Sequence, residues 1–446
     1  MNSKKIIIIG AGLSGTLLAI RLAQKGFGVL VYEKRPDMRK AAISAGRSIN
    51  LALSDRGILG LQMIGLEKEM LQLSIPMHGR MVHNIGAEPL LQPYSGRTGE
   101  HINSISRGDL NIALLNKAED YHNIELHFDC NCLSVNLPGA EAFFEDRDGN
   151  KFSVKGEVVI GTDGAGSALR TSMEQDLPGF STTTQFLDHG YKELNLPPGA
   201  GNSFLIEKNA LHIWPRKSFM LIALPNTAGD FTLTLFLAHK GAENSFEMLS
   251  QKEQLHTFFN ANFPDVAALI PDLEEQFFTN PTGALGTVKC YPWQAYGKCL
   301  LLGDAAHAVV PFYGQGMNCS FEDVVVFDEL LEHYGDNWKQ VFEACEQSRK
   351  ENADAIADLA VENFYEMRDA TADPVFQRKR KLETLLEKTY PQYFSKYSLV
   401  TFREDVPYKQ AMNQGRAQDK ILMQICSEEE DVAALDLGVV LAKLSA

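Results

Sequence analysis

The chain has 446 residues, of which 45% are hydrophobic, and its 42 basic and 57 acidic residues give a formal net charge of −15. This composition is typical of a globular protein, and the length suits two or three domains. The acidic balance argues against a nucleic-acid surface, and no apolar run reaches the roughly 18 residues that a membrane span needs. The basic N-terminus is not followed by the pattern of a cleaved signal peptide, so we expect a protein without a transmembrane anchor, located in the cytoplasm.

The first elements in the chain predict a dinucleotide-binding unit. A run of isoleucines ends at a G-x-G-x-x-G motif formed by Gly10, Gly12 and Gly15, and an apolar-patterned helix and a second strand, Gly28–Tyr32, follow it. Glycines at these positions permit a tight turn and close approach of a pyrophosphate to a helix N-terminus. Glu33, about twenty residues further on, can accept hydrogen bonds from ribose hydroxyls. No later segment repeats this unit, so the sequence predicts one dinucleotide site.

The seven cysteines are scattered and odd in number, which indicates a reducing compartment. Cys130 and Cys132 form a C-x-C pair, and on a strand both side chains would point to the same face. We expect a buried apolar role for both, and no metal site.

Two later strands each end in a motif with an aspartate. The strand over 157–161 runs into a D-G turn at Asp163, and the strand over 298–302 runs into the sequence G-D-A-A-H, which contains Asp304. A segment P-x-x-G-Q-G-M-N follows and leads into a helix. His307, in the loop, is expected to be structural rather than a proton donor.

These motifs in this order resemble the single-component FAD-dependent aromatic hydroxylases. The resemblance implies an α/β fold: a Rossmann-like FAD-binding domain of the para-hydroxybenzoate hydroxylase type, an antiparallel-sheet substrate domain and a C-terminal helical region. It places Asp304 at the ribityl chain, Arg107 at the phosphates or ribityl chain, and the glycine-rich segment at the pyrimidine edge of the flavin. The expected FAD-binding residues are Gly10, Gly12, Leu13, Gly15, Glu33, Arg35, Arg107, Asp163, Asp304, Gly314, Gly316, Met317 and Asn318.

Further segments, the first over 46–53 and the last over 397–402, narrow the resemblance to the branch of this family that hydroxylates L-kynurenine at ring position 3. It implies that Arg80 binds the α-carboxylate, that Tyr94, Tyr397 and Asn363 donate hydrogen bonds, and that an aromatic side chain contacts the ring. Tyr313 stands where relatives carry histidine or another aromatic residue, and we expect it only to line the pocket. The expected substrate-binding residues are Arg80, Tyr94, Phe236, Asn363, Tyr397 and Tyr313.

The chemistry that the resemblance implies is carried by the flavin. NADPH reduces FAD, the reduced flavin reacts with O2 to give a C4a-hydroperoxide, and the aromatic ring attacks its distal oxygen. No side chain is expected to act as an acid or a base, and the reaction belongs to tryptophan catabolism, the kynurenine pathway. The partner is therefore a small molecule, and a homodimer is possible.

The expected domain organisation is discontinuous. Strands around 211–224 and Phe231–Ala238 predict the sheet of the substrate domain, and the chain from 337 onward has helical periodicity. The expected segments are 1–72, 98–178 and 285–335 for the FAD-binding domain, 73–97 and 179–284 for the substrate domain, and 336–446 for the helical region.

Three alternatives stay open from the sequence. The same flavin chemistry could act on another aromatic substrate, or the chain could be a flavin-binding sensor that does not turn over. A colourless protein would indicate a third alternative, an NAD-binding module without flavin.

Overall fold

The computed structural model describes residues 5–40, 50–241, 243–370 and 373–444. The part of the resemblance that falls on 46–49 lies outside these residues. The strands are β1 (Lys5–Ile9), β2 (Gly28–Tyr32), β3 (Asn50–Leu53), β4 (Ser74–Met77), β5 (Gly79–Val82), β6 (Leu90–Pro93), β7 (Ile102–Ser106), β8 (Ile124–His127), β9 (Cys130–Asn136), β10 (Glu141–Asp146), β11 (Lys151–Lys155), β12 (Val158–Gly161), β13 (Ser181–Leu196), β14 (Leu211–Pro215), β15 (Met220–Pro225), β16 (Phe231–Ala238), β17 (Gly283–Tyr291), β18 (Gln294–Ala295) and β19 (Cys299–Leu301).

Helices lie between groups of strands as far as β19, and helices follow one another after it. They are α1 (Leu13–Gln24), α2 (Asp55–Met63), α3 (Glu67–Gln72), α4 (Arg107–Glu119), α5 (Ala168–Asp176), α6 (Lys252–Asn262), α7 (Pro264–Ala267), α8 (Leu273–Thr279), α9 (Asp304–His307), α10 (Gly316–Tyr334), α11 (Trp338–Tyr365), α12 (Pro374–Thr389), α13 (Lys396–Thr401), α14 (Tyr408–Glu428) and α15 (Leu437–Leu444).

The dinucleotide-binding unit is built around a six-stranded sheet in the order β18-β19-β12-β1-β2-β8. β1 pairs in parallel with β2 and with β12, and β12 pairs in parallel with β19. Because the isoleucines of β1 are buried on both faces of the sheet, the strand is continuously apolar rather than alternating. The carboxyl ends of these four strands share one edge, where open α/β sheets bind their ligands.

The second large sheet has seven strands in the order β17-β13-β16-β15-β14-β5-β6. Its pairs are antiparallel except for β5 and β14, which run parallel. Alternation along β16 divides its side chains between the two faces. Leu233 and Leu235 pack in an apolar cluster with residues of α6, α7 and α8, whereas Phe236 packs in the cluster that contains Tyr94 and Tyr313.

The expected division of the chain into domains stays a prediction. The seven-stranded sheet takes its strands from the segments 79–93 and 181–291, so β17 runs across the expected boundary at 285. β4 lies in the segment 73–97 that we expected in the substrate domain. It pairs with β7, from the segment 98–178 expected in the FAD-binding domain, in a small sheet with β3. Strand pairing, which is not visible in the sequence, therefore joins segments on the two sides of both expected boundaries.

The helical last third agrees with the periodicity, with differences at helix ends. The apolar spacing over 341–367 predicts one regular helix, but α11 ends at Tyr365 and continues as a π-helical turn, Glu366–Ala370. The sequence over 432–444 predicts a short amphipathic helix, but α15 begins only at Leu437. It begins there because the Asp436 side chain accepts from the backbone N–H groups of Gly438 and Val439. In the described part of the chain, every helix is too short or too polar to cross a membrane.

Candidate active site

A cavity of about 510 Å³ lies at the carboxyl edge of the six-stranded sheet. Its volume falls in the range of cofactor sites, roughly 300–1,000 Å³. Most of the residues expected to bind FAD line it, although they come from five separate stretches of the chain. They are Gly10, Gly12, Leu13, Glu33, Arg35, Arg107, Asp163, Asp304, Gly314, Gly316 and Met317.

The three motif glycines have three different surroundings. Gly10 has a φ of +101°, and a Cβ there would lie 2.6 Å from the carbonyl oxygen of Thr162. A Cβ at Gly15 would collide with the carbonyl oxygen of Gly10, so this glycine lets α1 approach β1 and does not line the cavity. A Cβ at Gly12 meets no atom within 4 Å and would project into open space beside the cavity. The space beside Gly12 is what close approach of a pyrophosphate requires.

The N-terminus of α1 offers an anion site to this space. Gly12 is the N-cap residue of the helix, and because it has no side chain, no side-chain hydrogen bond caps the helix. The first N–H groups of the helix therefore lack intrahelical acceptors and carry the positive end of the helix dipole. A bound diphosphate would satisfy them.

Glu33 is held in place as a buried carboxylate at the end of β2. Its Oε2 accepts from the backbone N–H of Ala11 at 2.9 Å, and its Oε1 accepts from Nε of Arg35 at 2.8 Å. Burial opposes ionisation, but the Arg35 guanidinium and the backbone N–H groups of Arg35 and Ala11 outweigh it and lower the pKa of Glu33. An ionised carboxylate here is an acceptor for ribose hydroxyls.

Asp163 and Asp304 both line the first cavity. Oδ2 of Asp163 accepts from the backbone N–H of Ala168 at 2.7 Å, whereas its Oδ1 is buried without a hydrogen-bond partner. Burial raises the pKa of Asp163. Asp304 is exposed to the cavity at the start of α9. Both carboxyl groups therefore have oxygen atoms that can accept hydrogen bonds from a cofactor. FAD has hydroxyl and N–H groups that can donate to them, so these residues fit FAD.

The glycine-rich segment forms the turn before α10. Gly316 and Met317 line the cavity at the first turn of this helix, where N–H groups are free. Asn318 was expected beside them, but its side chain lies under the turn. It donates to the carbonyl oxygens of Ala52 and Gly314, both at 2.8 Å, and its Oδ1 accepts from the backbone N–H of Ser54 at 3.0 Å. Asn318 therefore fixes the shape of the turn rather than facing the cavity.

A second cavity of about 430 Å³ opens from the first one. It lies between the seven-stranded sheet and the C-terminal helices. The two cavities share wall residues from β3, from the turn after β12 and from the segment between the start of α9 and α10. The shared residues are Asn50, Ala52, Ala165, Asp304, Val309, Pro311 and Gly314. A ligand in the second cavity would therefore lie next to the part of the first cavity that Gly314 borders.

The wall of the second cavity contains the arginine Arg80 beside three tyrosines. The guanidinium carbon of Arg80 lies 5.8 Å from the ring centroid of Tyr94 and 5.4 Å from that of Tyr397. Tyr397 stacks on Tyr94 with centroids 4.9 Å apart, and on Tyr313 with centroids 5.7 Å apart. Burial raises the pKa of each of the three tyrosines, so they are protonated at neutral pH and donate hydrogen bonds.

The other two expected substrate contacts differ from each other. Phe236 lines the cavity, with its ring centroid 4.8 Å from that of Phe312. Asn363 does not line it: its Nδ2 donates to the carbonyl oxygen of Phe312 at 2.7 Å and contacts the sulfur of Met367. In the structure, Asn363 holds Phe312 and Met367, which themselves line the cavity.

An ion-pair network lies behind the phenols. Nζ of Lys396 is 3.4 Å from Oε2 of Glu366 and 2.5 Å from Oδ2 of Asp419. Burial opposes ionisation of Glu366, but Lys396, Lys379 and Arg80 together lower its pKa to about 2. No pattern in the sequence indicates this network, because its members lie on four different helical segments.

Some residues of both cavities escaped the sequence analysis. On β16, Thr232 and Thr234 line the second cavity with Phe236, and the alternation F-T-L-T-L-F is the signal that could have identified them. Cys130 and Cys132, at the start of β9, line the first cavity. Both are only partly buried and pack against the core of the FAD-binding unit. Their expected apolar packing is therefore found, but at a cavity wall rather than inside the core.

His307, expected to be structural, is buried and hydrogen-bonded. Its Nε2 lies 2.5 Å from Oδ2 of Asp323, which also accepts from the backbone N–H of Gly303 at 3.1 Å. Asp323 thereby fixes the turn that precedes Asp304. This arrangement gives His307 a supporting position beneath the cavity.

Comparisons with known proteins agree with this geometry. The family described as FAD binding domain matches residues 3–360. A protein of Myxococcus xanthus named kynurenine 3-monooxygenase is 50% identical over 94% of this chain and 90% of its own length. One of the same name from Dictyostelium discoideum is 42% identical over 99% of this chain and 97% of its own length.

Solved structures of other oxygenases share the fold. The structure of 2-methyl-3-hydroxypyridine-5-carboxylic acid oxygenase matches with a TM-score of 0.68 at 20% identity, covering 86% of this chain and 98% of its own. A probable FAD-dependent monooxygenase from Pseudomonas aeruginosa matches with a TM-score of 0.66 at 18% identity, covering 82% of this chain and 97% of its own. The fold class and the FAD-binding unit expected from the sequence are thereby confirmed. The chain belongs to the FAD binding domain family, and within it to the FAD-dependent aromatic hydroxylases that include the kynurenine 3-monooxygenases.

Proposed function

We propose that this protein is an NADPH-consuming monooxygenase that binds FAD and uses O2 to convert L-kynurenine into 3-hydroxy-L-kynurenine. The observation that carries the proposal is the shared wall of the two cavities. An aromatic substrate held by Arg80 in the second cavity would lie against the wall that this cavity shares with the first, where the flavin would lie.

The second cavity suits an aromatic amino acid. Arg80 can bind a carboxylate through two parallel hydrogen bonds, and the protonated phenols of Tyr94 and Tyr397 can donate to the same group. Phe236 and the threonine methyl groups of β16 offer apolar contact for an aminophenyl ring. Asn363 supports this site through Phe312, and a direct hydrogen bond from Asn363 to the substrate stays a prediction.

The first cavity suits FAD at each of its parts. The α1 N-terminus would hold the diphosphate, Glu33 the adenosine ribose, and Asp304 the ribityl chain, with Arg35 and Arg107 near the phosphates. When bound, FAD would take a hydride from NADPH and deliver activated oxygen to the substrate ring. The N–H groups at the start of α10 would stabilise negative charge on the pyrimidine edge of the reduced cofactor.

The protein's own contribution is positioning and the exclusion of water. The neutral phenols around Arg80 are donors rather than bases, which agrees with chemistry carried by the cofactor. The apolar wall from β16, Phe312 and Met367 would limit water beside the flavin and so limit wasteful release of H2O2. The cytoplasmic location, the pathway and a homodimer stay predictions.

The test is NADPH oxidation by the purified yellow protein with and without L-kynurenine, with the product identified by mass and H2O2 measured. A kynurenine-dependent rate, a product heavier by one oxygen atom and little H2O2 are expected. In Arg80→Lys, the loss of paired hydrogen bonds should raise the KM for kynurenine by about tenfold or more, at unchanged flavin content. A yellow protein whose NADPH oxidation ignores kynurenine would refute the substrate and return the choice to other aromatic compounds.

A further inference from the structure

Arg56, at the start of α2, carries a guanidinium that is almost wholly buried. A buried guanidinium needs partners for its donors, and this one has them. Nε donates to the carbonyl oxygen of Val400 at 3.1 Å, and Nη2 donates to those of Arg403 at 2.7 Å and Val406 at 2.5 Å. Nη1 pairs with Glu322 of α10. One side chain of the FAD-binding unit therefore holds the connector between α13 and α14.

The connector needs such a partner because α13 ends there. The last carbonyl groups of a helix have no intrahelical donor, and a cation at this end is favourable. Arg56 meets both needs at Val400, three residues after Tyr397. Through this bond, α2 of the FAD-binding unit holds α13 and so helps to position Tyr397 against Arg80 and Tyr94.

Tyr408 extends this connection to the turn before α10. The Arg56 guanidinium carbon lies 4.0 Å from the centroid of the Tyr408 ring, and the Tyr408 hydroxyl donates to Oε1 of Gln315 at 3.0 Å. Gln315 also contacts the hydroxyl of Ser54, directly before α2. Gln315 immediately precedes Gly316, which lines the FAD-sized cavity.

We infer that Arg56 and Tyr408 are positioning residues that fix the distance between the Tyr397 end of the substrate cavity and the Gln315–Gly316 turn of the flavin cavity. They touch neither cavity and act through Tyr397 and Gln315. The inference rests on the proposed function, because it assigns them the alignment of the substrate ring with the flavin. Without them, the cofactor still binds and the substrate binds more weakly, and the substrate ring no longer lies where oxygen is delivered.

The chain offers conservative variants and a matched control. Arg56→Lys keeps the charge but replaces a fork by a single point that cannot reach all three carbonyl groups. Tyr408→Phe removes only the hydroxyl that bonds Gln315. Tyr393→Phe is the control, because Tyr393 is also buried in the C-terminal helical region and its hydroxyl has no hydrogen-bond partner.

The experiment measures four quantities on each purified holoenzyme: FAD content, melting temperature, the Kd for L-kynurenine from the flavin absorbance change, and the ratio of hydroxylated product to NADPH consumed at saturating kynurenine. Tyr408→Phe should keep its FAD and lower the product ratio by about twofold or more. Arg56→Lys should lower the ratio and also raise the Kd by about tenfold, through the displaced Tyr397. Tyr393→Phe should match the wild type in both.

A lowered melting temperature with wild-type product ratio and Kd in both variants would overturn the inference, since that is the signature of a merely structural role. If Arg56→Lys does not fold, the product ratio of Tyr408→Phe decides alone. If kynurenine does not change NADPH oxidation by the wild type, the proposed function is refuted, independently of this inference. The absorption spectrum of bound FAD in Tyr408→Phe then decides: a shift supports the link to Gln315, and a wild-type spectrum overturns it.

Discussion

Tyr397 lies in a parallel stack on Tyr94, with the ring centroids 4.9 Å apart and the ring planes 10° apart. Tyr94 follows β6, the edge strand of the seven-stranded sheet, whereas Tyr397 belongs to α13 in the C-terminal helical region. Arg80 contacts both rings. The cation and one of its phenols are therefore supplied by different parts of the chain, and the site is complete only when α13 is packed against the sheet.

The stack and the hydroxyl group of Tyr397 can be separated by two substitutions. Tyr397→Phe keeps the ring and removes one donor to the substrate carboxylate, which should raise the Kd for kynurenine by about tenfold, since such hydrogen bonds contribute roughly 1.5–3 kcal/mol. Tyr397→Leu also removes the stacking on Tyr94 and Tyr313 and should raise the Kd further. Titration of the holoenzyme with kynurenine, followed by flavin absorbance, measures both. Equal affinities of wild type and Tyr397→Phe would remove the hydroxyl from the proposed site.

Gly12 and Gly15 should respond differently to the same added methyl group. In Gly12→Ala the methyl group projects into the space for the diphosphate, so FAD affinity should fall by about tenfold or more while the apoprotein keeps its stability. In Gly15→Ala the methyl group meets the backbone of Gly10, so the apoprotein itself should be destabilised. Fluorescence titration with FAD and thermal unfolding of both apoproteins make the comparison. A Gly12→Ala protein that melts early but binds FAD normally would contradict this assignment.

The contrast between these glycines shows how much of the site the sequence could predict. The motif located the turn and the helix N-terminus, because the order strand, glycines, helix and acid is local. Which glycine faces the ligand and which faces β1 depends on distances between elements. The same limit applies to Asn318, whose position in the motif suggested the cavity, but whose amide is turned to Ala52 and Gly314 in the folded chain.

The second cavity was predictable only through resemblance. Arg80, Tyr94 and Tyr397 lie far apart in sequence, and no spacing rule brings them together. The alternation on β16 did carry local information, since Thr232, Thr234 and Phe236 share one face. Helix ends and strand pairing, such as the parallel β5–β14 pair, depend on side-chain capping and tertiary packing. The hydrophobic pattern of the sequence therefore did not predict them.

Asp304 should contribute to FAD binding without contributing to the stability of the apoprotein. Its carboxylate is exposed to both cavities at the start of α9, so it is available to a hydroxyl of the ribityl chain. Asp304→Ala should weaken FAD binding by about tenfold or more, because a hydrogen bond to a charged group is lost. Asp148→Ala, at an exposed turn between β10 and β11, is the control. Equal FAD dissociation constants for the two variants would show that Asp304 does not hold the cofactor.

His212, on β14, should make the stability of the protein depend on pH. It is 1% exposed, and its Nε2 lies 2.7 Å from the carbonyl oxygen of Glu207, to which it must donate. Its Nδ1 then accepts from Nε2 of His83 at 2.8 Å, and Nδ1 of His83 faces Asp265. Burial lowers the pKa of His212 to about 4, so the ring is neutral in the folded protein.

The sign follows from comparing the folded with the unfolded chain. Unfolded His212 takes up a proton near its ordinary pKa of about 6.5, whereas the folded protein resists protonation down to about 4, so stability is full above the upper value and is lost as the pH falls toward the lower one. The loss attributable to this group is on the order of 3 kcal/mol. Urea unfolding at about pH 7 and about pH 4.5 gives the free energy of unfolding of the wild type and of His212→Asn. The difference between the two pH values gives the slope of stability against pH for each protein. His122→Asn removes an exposed histidine and is the control. His212→Asn should have the shallower dependence because the neutral amide has no proton to take up, and equal slopes for all three proteins would show that His212 does not govern it.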